Sequence, residues 1–95
     1  MTKDVLFDSL QTAIKDVLNN QKLVVEPTSK FVSDLGLESI DFLDLSSEIE
    51  NTIGFELDFK EVVQYLKESN QNTTSMKDVT VDHLINYILA KKNAN

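Results

Sequence analysis

Only Gly36, Gly54 and Pro27 interrupt the 95 residues as strong turn formers. A chain with so few cheap reversal points favours long helices over many short strands. The apolar spacing agrees. Leu6, Leu10, Ala13, Ile14, Val17 and Leu18 recur at three- and four-residue steps, which predicts an amphipathic helix over about 2–20. Thr2 or Asp4 suits its N-cap, and Asn19-Asn20 its end. A second helix is expected from Ser39 to about Ile53, with Phe42, Leu45, Ile49 and Ile53 on one face and Gly54 as its left-handed cap. A short third helix opens at Asp58, with Glu61 at capping-box spacing and Val62, Val63 and Leu66 as its apolar side. The last helix starts near Thr80. Val81, Leu84, Ile85, Ile88 and Leu89 form its stripe, and Lys91 and Lys92 suit its negative end.

Two connections are less regular. Residues 21–38 make a long loop, and a loop of that length inside a small protein is usually functional or partly structured. Leu23-Val24-Val25 has strand-like composition, but nothing else offers a pairing partner, and Pro27 interrupts it. Phe31, Val32 and Leu35 are expected to pin the loop to the core. Residues 67–77 are polar and read mostly as a mobile loop. Together these elements predict an all-α fold: a small, irregular four-helix bundle occupying one domain, 1–95.

Composition narrows the function. Sixteen acidic residues against nine basic ones give a net charge of -7. Such a polyanion repels nucleic acid and anionic lipid, and suits partners with basic patches; the same charge also serves solubility alone. There is no cysteine, hence no disulfide and no thiol chemistry of its own. No stretch has the length and apolarity of a membrane span, and the N-terminus lacks a secretory pattern. A cytosolic location is the expectation, and the start at Met1 suits a whole gene product. One histidine without cysteine makes a metal centre improbable in composition; His83 reads as a helix-surface residue. Neither a nucleophile elbow nor a phosphate-cradling glycine loop is present. Enzymatic catalysis is disfavoured.

The helix around Ser39 carries more than a structural face. At about 100° per residue, Ile40 and Leu43 fall away from the core sector and beside Ser39, Ser47 and Glu50, with Asp44 and Glu48 further round. Apolar residues with an acidic rim suit a docking surface; the alternative is that one of the pair packs under the long loop. Ser39 itself has two readings. Serine is a favoured N-cap, and a helix N-terminus also suits an attached phosphate group. Glu38 and Asp41 add negative charge to the first turn.

The run Asp34-Leu35-Gly36-Leu37-Glu38-Ser39-Ile40-Asp41 resembles the modification signature of acyl carrier proteins. Phe31-Val32-Ser33 before it, Ile53-Gly54-Phe55-Glu56-Leu57 and the segment from Thr80 to Ile88 are also similar to that family. The resemblance covers nearly the whole chain. It implies a four-helix bundle with a long first loop and a minor third helix. It further implies 4′-phosphopantetheine transferred from coenzyme A to Ser39 by a separate phosphopantetheinyl transferase, and acyl groups held on the arm as thioesters. The protein would then be a monomeric shuttle serving acyl-loading and acyl-processing enzymes with basic docking surfaces. On this chain the matching acids are Asp44 and Glu50, with Asp41 and Glu48 beside them and Glu38, Ile40, Leu43 and Ser47 completing the surface. Glu38 stands where the family usually has Asp, Ser47 where many housekeeping members have a large apolar residue, and the polar stretch after the third helix is long. These departures favour a specialised carrier over bulk fatty-acid synthesis. The alternatives are a peptidyl, aminoacyl or D-alanyl carrier, or an unmodified helical interaction module.

Overall fold

The computed structural model describes residues 2–69 and 75–93. Among them, four α-helices appear in the expected order: α1 Lys3–Val17, α2 Ser39–Ile53, α3 Phe59–Glu68 and α4 Val81–Asn93, with a 3-10 turn at Met76–Asp78. The fold is all-α. α1 packs on α2 and α4, and α3 on α4. The fully buried side chains Leu6, Leu10 and Ile14 of α1, Leu45 and Ile49 of α2, and Leu84 and Ile88 of α4 share one core with Phe31 from the long loop. Removing such surface from water is the main stabilising term.

Each helix boundary has a local cause. Thr2 caps α1, its hydroxyl accepting the Val5 N–H at 3.2 Å. The helix closes at Leu18, two residues short of the expected end, because Asn19 turns left-handed at φ 52°, a conformation asparagine tolerates. Gly54 ends α2 at φ 76°, as its spacing predicts. Asp58 caps α3 by accepting the Lys60 N–H at 2.9 Å. Glu61, expected to return the capping bond, turns to Tyr87 on α4 instead. α4 opens on a reciprocal pair. Thr80 Oγ1 accepts the His83 N–H, and His83 Nδ1 accepts the Thr80 N–H, both at 3.1 Å. The histidine read as a surface residue therefore takes the capping-box role that Glu or Gln usually fills.

The long loop is stitched down. Leu23-Val24-Val25 forms no strand: Val25 is buried and Val24 exposed. Phe31 and Leu35 are buried as expected, and Val32 is half-buried. Further tethers run to the start of α4. The Phe31 N–H donates to the Val79 carbonyl at 3.1 Å, Val81 to Ser29 at 3.0 Å and Asp82 to Pro27 at 2.9 Å. Lys30 and Thr80 thereby form an isolated antiparallel bridge. Of the stretch read as mobile, Lys67 and Glu68 close α3 and Met76–Asp78 forms the 3-10 turn; residues 70–74 lie outside the described residues.

Candidate functional site

The segment ahead of α2 delivers Ser39 to the surface by a defined turn. The Asp34 carboxylate accepts the Lys30 N–H at 2.7 Å, and the Lys30 carbonyl accepts from both Asp34 and Leu35 at 3.0 Å. Leu35 and Leu37 are buried on either side of Gly36. Gly36 sits at φ 77°, where a side chain would be strained. Its missing Cβ would meet nothing within 4 Å, so the backbone conformation, not space, calls for glycine. The next residues, Glu38 and Ser39, emerge into solvent.

Glu38, not Ser39, is the N-cap of α2, and Ser39 is the first helical residue. Asp41 Oδ2 accepts the Glu38 N–H at 2.9 Å, which fixes the helix start. That leaves the Ser39 hydroxyl with no hydrogen bond among the described residues. The capping reading of Ser39 is thereby replaced: its hydroxyl is exposed, uncommitted and placed at the positive end of a 15-residue helix.

The second apolar patch on α2 is real. Ile40 is 64% exposed and Leu43 70%, so neither packs under the long loop. Ser47 and Glu50 are exposed with them, and Asp44 borders them. Glu48 is half-buried in a crease between α1 and α2, shared with Asp8 and Asp16. Asp41 is half-buried and committed to the helix cap. The eight expected docking residues thus divide: Ile40, Leu43, Asp44, Ser47 and Glu50 face solvent together, Glu38 and Asp41 build the helix start, and Glu48 faces α1.

A groove between α2 and α3, which spacing along the chain does not reveal, opens beside Ser39. It encloses about 420 Å³, and Ser39, Phe42, Phe59, Val63 and Met76 line it together with Lys60, Gln64 and Lys67. Its floor is aromatic: Phe42 and Phe59 meet edge-to-face at a centroid distance of 4.9 Å, and each packs the same way on the buried Phe31 beneath, at 6.0 and 6.1 Å, the arrangement ring quadrupoles prefer. Phe42, assigned to the core by spacing, serves both core and groove. No three metal-ligating side chains gather among the described residues, and none of their helices is long and apolar enough to cross a membrane.

Ser39 thus stands as an exposed hydroxyl at a helix start, behind an Asp-Leu-Gly-Leu turn. The family described as "Phosphopantetheine attachment site" matches residues 8–67. An acyl carrier protein of Coprothermobacter proteolyticus is 30% identical over 79 residues, 83% of this chain and 87% of that protein. One from Helicobacter pylori is 36% identical over 52 residues, 55% of this chain and 67% of its own. The acyl carrier protein AcpXL of Rhizobium meliloti is 27% identical over 67 residues, 70% of each. No solved structure matches the chain. The chain belongs to the acyl carrier protein family, whose members bear phosphopantetheine and act as carriers rather than enzymes.

Proposed function

We propose that Ser39 is the phosphopantetheine attachment residue and that the 95 residues act as one monomeric carrier domain in the cytoplasm, holding acyl intermediates for fatty-acid or related specialised lipid or polyketide synthesis. The observation that carries this reading is the exposed Ser39 hydroxyl, without a hydrogen bond among the described residues, at the first position of α2 and inside the matched segment. The residues present fit the group. A phosphodiester on Ser39 Oγ would stand at the positive N-terminal end of α2, which favours it, and the apolar groove beside it suits an acyl chain. The attached group supplies a thiol at the end of a long arm, on which acyl groups are held as thioesters. This chain's residues supply the rest. Gly36 and Asp34 hold the approach, Asp41 fixes the helix start, and Phe42 and Phe59 floor the groove.

Ile40 and Leu43, rimmed by Asp44 and Glu50, form the surface offered to the transferase and to acyl-loading and acyl-processing enzymes with basic faces. Charge steers such encounters and salt weakens them. Glu38, Ser47 and the polar stretch after α3 support a dedicated pathway over bulk synthesis. The test incubates the apo protein with coenzyme A, magnesium and a broad-specificity phosphopantetheinyl transferase, and compares intact mass with Ser39→Ala. One added phosphopantetheinyl group, absent from the variant, is expected. A folded wild type left unmodified, beside a carrier that the same transferase modifies, would overturn the assignment.

A further inference from the structure

We propose that Lys60 is the counter-charge for the phosphodiester formed at Ser39, and that Lys60, Gln64 and Lys67 make a polar, cationic ledge on α3 that holds the attached arm over the α2–α3 groove. The inference rests on attachment at Ser39.

Ser39, Lys60, Gln64 and Lys67 line the same groove from opposite walls. Positions 60, 64 and 67 follow a four-then-three step, so they share one face of α3 over roughly 10 Å. The chain has 16 acids, yet neither lysine pairs with a carboxylate among the described residues. Lys60 also stands in the first turn of α3, where a cation opposes the helix dipole. Helix stability therefore gives no reason for a lysine there.

The other wall offers no compensation. The α2 sequence, SIDFLDLSSEIENTI, contains no basic residue. Glu38 and Asp41 flank Ser39, so a new phosphodiester adds negative charge to negative charge. The helix N-terminus offsets part of this, and the α3 lysines are the side-chain cations that share the groove. Between the walls, Phe42, Phe59, Val63 and Met76 give the apolar parts of an arm or cargo a surface to cover.

The experiment uses full-length protein converted to the holo form, each sample verified by mass. Wild type is compared with Lys60→Gln, Lys67→Gln, the double variant and Lys22→Gln as a charge-matched control on the long loop. Glutamine keeps helix propensity close to that of lysine. Two readouts are taken at low and high salt: apo-to-holo amide shift changes, and the reaction rate of the arm's thiol with a neutral alkylating reagent. In wild type, shift changes are expected along 60–67 as well as around Ser39. The double variant should lose the former, keep the latter, and react on the order of two- to fivefold faster, the range that exposed ion pairs command. High salt should bring wild type to the same rate, and Lys22→Gln should behave as wild type. Loss of positive charge by itself would raise the thiol pKa and slow the reaction, so acceleration separates a released arm from a simple field effect. Shift changes confined to residues around Ser39, or one thiol rate across all variants, would overturn the ledge while leaving attachment intact. Absence of the mass gain would sink attachment and ledge together.

Discussion

The Tyr87 hydroxyl on α4 donates to the Glu61 carboxylate on α3 at 3.4 Å, a weak bond between two helices that makes α3 sensitive to pH. Burial raises the Tyr87 pKa above its ordinary 10.0, and the Glu61 charge, its hydrogen bond and the Asp58 charge raise it further. The neutral phenol is therefore favoured in the folded state. Its contribution to stability is complete below about pH 10 and fades as pH rises through the higher folded value. Denaturant unfolding from pH 8 to 12 should show stability declining above about pH 10. Tyr87→Phe should flatten that part of the decline, at a cost of about 1 kcal/mol near neutrality. An identical alkaline slope in both proteins would disprove the assignment.

Replacing Ser39 by Ala should leave the fold untouched. The hydroxyl has no hydrogen-bond partner among the described residues, and Glu38 holds the cap position. The expected change is within about 0.5 kcal/mol, read by chemical denaturation. A serine that capped α2 would instead cost about 1 kcal/mol.

The two apolar faces of α2 should separate stability from docking. Leu45→Ala removes a fully buried side chain and should cost about 2–5 kcal/mol. Leu43→Ser removes one that is 70% exposed; its cost should stay near 0.5 kcal/mol, while the transferase KM rises severalfold. Thermal melts and modification kinetics on the same samples read both effects.

At the start of α4, Thr80→Ala removes one half of the exchange with His83 and leaves the other half poorly placed. A loss of about 1 kcal/mol is expected, measured by urea unfolding. His83→Ala should remove less, because Thr80 can still accept the His83-position backbone N–H.

Gly54→Ala tests backbone strain without a steric clash. The position has φ 76° and open space around it, so the expected loss of about 1 kcal/mol comes from the left-handed conformation alone. Gly54→Asn should recover part of it.

The helices were legible because their causes are local. Three- and four-residue apolar steps, Thr2, Asp58 and Gly54 act within a turn of the element they define. The exposure of Ile40 and Leu43 was legible for the same reason, as angles on one helix. What could not be read depends on residues far apart in sequence. The bridge between Lys30 and Thr80, the diversion of Glu61 to Tyr87, and the groove that sets Lys60 opposite Ser39 all arise from how α3 and the long loop settle on the core. Ser39 as cap was a local reading overturned by another local competitor: Glu38 with Asp41 begins the helix one residue earlier.

The hydrogen bonds that join residues 27–31 to 79–82 also order events in time. During synthesis, the turn that presents Ser39 is made long before the segment that anchors its approach. A nascent chain that ends before Val79 lacks the backbone partners of Ser29 and Phe31 and the buried floor of α4. The approach to α2 therefore gains its tethers only once residues 79–82 have been made, some forty residues after Ser39 itself.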